Sequence, residues 1–91
     1  MRHKTDNNQN EIICGLRAVG ATVQDLSQVG NGCPDILVGF HGVNLLFEIK
    51  EKSSLTPEQV IWHNNWNGQK SVAHNFDEAL KLLNQTIKKL T

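Results

Sequence analysis

Two carboxylic acids and a primary amine, Asp35, Glu48 and Lys50, flank a two-residue turn signal, His41-Gly42, in the run GCPDILVGFHGVNLLFEIK. Residues on both sides of the turn suit strands, so the run reads as a β-hairpin. Along its second strand Val43, Leu45, Phe47 and Ile49 form one wholly apolar face, and Asn44, Leu46, Glu48 and Lys50 form the other. A two-residue loop pairs Phe40 with Val43. Continuing that pairing sets Asp35 opposite Glu48 on the same face of the sheet. Facing carboxylates repel each other, and burial makes the repulsion worse. Lys50 offsets part of this, and a divalent cation held between the converging oxygens offsets it better. The expected chemistry is therefore that of a hard metal ion with an amine beside it. A plainer reading makes Glu48 and Lys50 the solvent face of an amphipathic strand, and a one-residue slip of register would favour it.

The elements around the hairpin must hold these groups in place. The chain has 91 residues, enough for one domain with one core. NEIICGLRAVG carries Ile12, Ile13, Leu16 and Val19 at helical spacing and ends at Gly20, a C-cap. ATVQDLSQV reads as a short strand, followed by the turn-rich VGNGCP, then the hairpin strands DILVGF and VNLLFEIK. A helix is expected from Thr56 as N-cap, with Pro57 in its first position and Gln59 completing a capping box, through Trp62, His63 and Trp66. KSVAHNF is a fourth strand. DEALKLLNQTIKKL is a last helix with a stripe of Leu80, Leu83, Ile87 and Leu90. The order α-β-β-β-α-β-α predicts an α/β fold: a mixed four-stranded sheet flanked by helices, with a crossover between the third and fourth strands.

Composition adds less. Hydrophobic residues make up 38% of the chain and the formal net charge is zero, so no globally basic surface advertises a nucleic-acid partner. Basic residues are local instead: Arg2 and Lys4, Lys50 and Lys52, Lys88 and Lys89. No apolar run reaches the roughly 20 residues that cross a bilayer. The opening MRHKTDNNQNE lacks the apolar stretch of a signal peptide, so an intracellular, cytoplasmic setting is expected. Cys14 and Cys33 have no CxxC spacing and read as reduced, half-buried thiols.

Pro34-Asp35 and Glu48-Ile49-Lys50, in this element order, resemble the signature of the PD-(D/E)xK nuclease superfamily. The likeness is greater to stand-alone virus-type replication-repair nuclease (VRR-NUC) domains. Gly32-Cys33-Pro34-Asp35, the E-x-K strand, Thr56-Pro57-Glu58-Gln59 with Trp62, and Gly68 all match their pattern, over about residues 8 to 84. The chain is also similar to archaeal-type Holliday-junction resolvases, with Glu11 standing where those have a helix-one glutamate. The resemblance implies a restriction-endonuclease-like core spanning residues 1–91 as one domain. It implies DNA phosphodiester hydrolysis dependent on Mg²⁺ or Mn²⁺, on branched DNA such as a Holliday junction, by a homodimer suited to a two-fold substrate. In that scheme Asp35, Glu48 and the main-chain carbonyl of Ile49 hold the metal, which polarises the phosphate and acidifies a water. Lys50 orients or deprotonates that water, or stabilises charge on the phosphate. A nickase or restriction-like enzyme, or a silent nucleic-acid-binding module of the same fold, are the rival readings.

Six further residues have a plain account beside a functional one. Glu11 is a metal ligand from the first helix, or a first-turn acid answering the helix dipole. Gly15 and Ala18, on its stripe, would let that helix lie close to the sheet. Gln59 reaches the phosphate or Lys50, or simply closes its capping box. Lys52 and Ser53 contact DNA phosphate, or belong to a solvated loop. Trp62 and Trp66 are core or dimer-surface anchors before they are base-stacking platforms. His41, His63 and His74 have no partners at metal-ligand spacing.

Overall fold

A computed structural model describes residues 7–91; Arg2 and Lys4 lie outside the described residues. The elements are α1 (Asn7–Ala18), β1 (Thr22–Asp25), β2 (Ile36–Phe40), β3 (Val43–Ile49), α2 (Pro57–Asn65), β4 (Lys70–Ala73) and α3 (Phe76–Leu90). The strands form one sheet in the order β1-β2-β3-β4. β1, β2 and β3 are antiparallel in turn, and β4 is parallel to β3 after the α2 crossover. The expected α/β order and mixed sheet are both present.

The hairpin turn sets the register. His41 and Gly42 adopt φ of 51° and 78°, the paired left-handed values of a type I′ turn whose twist matches the strands. Phe40 accordingly faces Val43, and Ile36 faces Phe47. The four apolar residues of the expected β3 face, Val43, Leu45, Phe47 and Ile49, are all buried. They join Ile36 and Val38 of β2 in the core, beneath α1 and α3.

Both helices over this face differ from the sequence reading in which residues they bury. In α1 the buried arc is Gln9, Ile12, Ile13 and Leu16, while Val19 is exposed beyond the helix end. The Gly20 N–H bonds the Arg17 carbonyl and the Ala21 N–H bonds the Leu16 carbonyl, a Schellman closure that turns the chain back into β1. In α3 the buried positions are Ala79 and Leu83, with Phe76, Leu82 and Ile87 packed alongside, and Leu90 is exposed. Phe76 explains the shift. Its ring occupies the place where a Cβ on Gly15 would lie, so the small residue of α1 admits α3 rather than the sheet.

α2 lies on the side of the sheet away from α1 and α3, over the β3 face that carries Leu46 and Glu48. Its start is built as expected. Thr56 Oγ1 accepts from the Gln59 N–H at 3.3 Å, and Gln59 Oε1 accepts from the Thr56 N–H at 2.9 Å. The helix ends at Asn65 with Trp66 as C-cap, one residue short of the sequence reading. Trp62 and Trp66 stack on each other with centroids 4.8 Å apart, and His63 is buried beside Trp62.

Candidate metal and catalytic site

At the end of the sheet where β3 stops, the ladder between β2 and β3 changes character. Its next hydrogen-bonded pair would match residue 34 with Ile49, but residue 34 is proline and has no N–H to give. The chain bulges instead. The Asp35 N–H donates to the Phe47 carbonyl at 3.0 Å, so Asp35 and Ile36 both oppose Phe47. The Asp35 side chain then takes over the missing acceptor's place: its Oδ2 accepts the Ile49 N–H at 2.7 Å. On the β1 side the Asp35 carbonyl accepts from the Leu26 N–H at 2.8 Å. The acids thus meet through a clamp across a bulge rather than by an unbroken ladder. The same proline leaves the Ile49 carbonyl without its ladder donor from β2.

Glu48 is not on a solvent face. It is only 2% exposed, which removes the plain amphipathic reading of β3. Its Oε2 accepts from Gln59 Nε2 at 3.2 Å, so the amide that caps α2 also holds the carboxyl. Gln59 therefore reaches neither Lys50 nor open cleft; it reaches Glu48. Oε1 is buried, and as a carboxylate oxygen it has no donor. The Asp35 carboxyl is its hydrogen-bonding neighbour at this end of the sheet. Burial, then that hydrogen bond, then the Asp35 charge push Glu48 up to about 8 from a usual value of 4.5, with Lys50 opposing the rise.

An orphaned, buried acid oxygen beside a second carboxyl and a carbonyl released from its ladder is a set of hard donors suited to a hard divalent cation. Among the described residues no three His, Cys, Asp or Glu side chains converge to hold a metal. Two carboxylates with a carbonyl, waters and substrate oxygens is a coordination style that Mg²⁺ favours. Glu11 is not brought to the pair. At about 100° per residue it falls on the far side of α1 from the arc of Gln9, Ile12, Ile13 and Leu16, and it is exposed.

Lys50 is half-buried just past β3, and its N–H bonds the Ala73 carbonyl at 3.0 Å. Among the described residues the one side-chain ion pair joins His74 to Glu78, so the Lys50 ammonium is not tied to either acid. Ile49, Lys50, Glu51, Lys52 and Ser53 line an open cleft of about 480 Å³ beside the pair. Cys33 also stands close to the acids: burial, then the charges of Glu48 and Asp35, push its thiol up. Sequence reading missed this, although Cys33 adjoins Pro34. A thiol held protonated is a poor metal ligand, and Cys33 does not join the donor set. Cys14 is exposed, not half-buried as expected.

The preceding loop is braced against α2. Gly32 has φ of +81°, and a Cβ there would lie 2.6 Å from the Glu58 carbonyl oxygen. Only glycine suits both the backbone conformation and the approach. The contact seats the start of α2, and with it Gln59, beside the acid pair.

The fold and site together define an α/β chain with paired acids at a sheet end. Comparison with protein-family models, curated proteins and solved structures returns no match to this chain.

Proposed function

We infer that this chain is a metal-dependent DNA endonuclease of the PD-(D/E)xK kind, similar to VRR-NUC domains, hydrolysing phosphodiester bonds in branched DNA as a homodimer. The observation that carries the reading is the buried Glu48 oxygen without a donor, next to the Asp35 carboxyl. Asp35, Glu48 and the Ile49 carbonyl are the residues that would hold Mg²⁺ or Mn²⁺. When bound, that ion supplies charge at the scissile phosphate and acidity to the attacking water.

The chain's own groups do the rest. Gln59 keeps the Glu48 carboxyl turned to Asp35, leaving one oxygen for the cation. The free Lys50 ammonium orients the water and steadies the negative charge that builds on phosphate. As the water oxygen bonds to phosphorus, one P–O ester bond breaks and the leaving oxygen takes up a proton. Lys52 and Ser53 meet the phosphates of the strand in the cleft. Glu11 has no part in this set.

The test is incubation with a four-way junction and with linear duplex, in Mg²⁺, Mn²⁺ or EDTA. Cleavage is expected with either ion, none in EDTA, and none with Asp35→Ala, with the junction preferred. Metal-dependent cutting that survives Asp35→Ala overturns the assignment, as does a wild-type protein that cuts neither substrate.

A further inference from the structure

The two edges of the sheet are finished differently. At β1 the alternation puts Val23 and Asp25 on the outer side, because the Leu26 N–H reaches inward to the Asp35 carbonyl. Arg17 covers that edge: its Nη2 donates to the Val23 carbonyl at 3.0 Å. At β4 the carbonyls of Gln69 and Ala73 point inward, accepting from the N–H groups of Leu46 and Lys50. Lys70 and Val72 therefore turn their main-chain N–H and C=O groups outward. Among the described residues nothing bonds these groups. Beyond them the edge is closed, since the His74 N–H donates to Glu78 Oε1 and its carbonyl accepts from Asn8 Nδ2. Val72 also borders a cleft of about 490 Å³ whose wall on α3 includes Lys81, Leu82 and Gln85. An open edge of this kind is a template for another strand.

We propose that the β4 edge is the two-fold interface of the homodimer, pairing antiparallel with β4 of a second copy so that Lys70 faces Val72 and Ser71 faces itself. The spacing argues for a second copy over an unrelated peptide. Two outward residues two apart are self-complementary about Ser71: each Val72 exchanges both main-chain bonds with the Lys70 opposite, and none is left over. Other registers fail. One centred on Val72 sets Lys70 against His74, whose main chain is already bonded, and one centred on Lys70 brings two ammonium groups face to face. A two-fold axis normal to the sheet keeps each face on its own side. The four strands become eight, with both Glu48 residues on one side, three strand spacings or about 14 Å apart across the strands. That arrangement suits paired cuts in one substrate, and the proposal rests on the homodimer of the nuclease reading.

Val72→Pro loses only an outward N–H, so it keeps the β3–β4 ladder and blocks the edge. Sedimentation should give twice the chain mass for the wild type and the single mass for Val72→Pro, with unchanged far-UV circular dichroism. Cysteine pairing reads the register independently of that variant. In a Cys14→Ser background, which lacks the exposed native thiol, Ser71→Cys should cross-link to a dimer under oxidised glutathione. Facing residues of a non-hydrogen-bonded pair lie about 4.5 Å apart, within reach of a disulfide. Val72→Cys faces Lys70 and should not cross-link. A Val72→Pro protein that keeps the dimer mass, or Val72→Cys cross-linking as readily as Ser71→Cys, overturns this interface and leaves the dimer. A monomeric wild type removes both. Ser71→Cys dimers in a protein that cuts no DNA uphold the interface and sink the nuclease reading alone.

Discussion

Glu48 concentrates opposing demands in one side chain. The core excludes water from it, Asp35 repels its charge, and Gln59 and Lys50 favour that charge. Its proton is consequently held in the folded state up to about pH 8, against about 4.5 when unfolded. The folded state then binds the extra proton between those values, so this group's share of stability is full below pH 4.5 and is lost as pH rises through about 8. Glu48→Gln cannot ionise and escapes the decline. Its Tm without metal should exceed wild type by an amount that widens from pH 5 to pH 8, while cleavage is abolished; a difference that stays flat would contradict the buried proton. If the pair holds a metal as proposed, the ion must displace the same proton, so Mg²⁺ affinity measured by calorimetry should climb over that interval in the wild type.

Two elements carry the site, and their joints are testable. Thr56→Ala removes the hydroxyl that caps α2 and should cost about 1 kcal/mol of stability, read from denaturant midpoints. Gly32→Ala forces a Cβ against the Glu58 carbonyl and a non-glycine residue to φ of +81°. Left-handed strain alone costs about 1–2 kcal/mol, and the collision adds to it. Because that collision pushes α2 from the loop that bears Asp35, Gly32→Ala should lose more cleavage than Thr56→Ala when both are assayed well below their melting temperatures. Equal activity would detach the Gly32 contact from the site. His63 tests the other half of α2. It is buried with Nε2 unpartnered, and burial, then the Lys70 charge, hold its pKa below 6.5. Protonation in acid therefore favours the unfolded chain, and stability from this group is lost as pH falls below 6.5. Wild type should soften from pH 7 to pH 5 relative to His63→Phe, measured by urea midpoints.

At the scale of the molecule, no helix among the described residues is long and apolar enough to cross a membrane. The principal extents of 40 × 29 × 22 Å match about one turn of duplex, and each copy has one acid pair. If the chain cuts junctions as proposed, two symmetric cuts call for two copies related by a two-fold axis. Sedimentation at assay concentrations should give twice the chain mass; full activity from a monomer would remove the dimer. The formal charge is zero, so on the proposed nuclease reading grip on DNA would depend on the few local lysines and on bound metal. Binding should accordingly show a shallow dependence on salt, consistent with few phosphate contacts.

Local rules were enough for the hairpin. His41-Gly42 demands a type I′ turn, and the period of two then sorts Phe47 from Glu48 without help from anything distant. The capping box of α2 and the C-cap of α1 are equally local, because each is closed within six residues of chain. What chain-distant packing decided was which side chains lose their water. Glu48 is buried because α2 crosses over it, Gln59 turns to Glu48 because Gly32 lets that helix approach, and Gly15 meets Phe76 instead of the sheet. Glu11 is exposed and Gln9 buried for the same reason: helical spacing gives an arc, but only the neighbours in three dimensions determine which side of it is dry. Pro34 stands between the two cases. Its missing N–H is written in the sequence, yet the clamp from Asp35 to Ile49 appears only once β2 and β3 lie side by side.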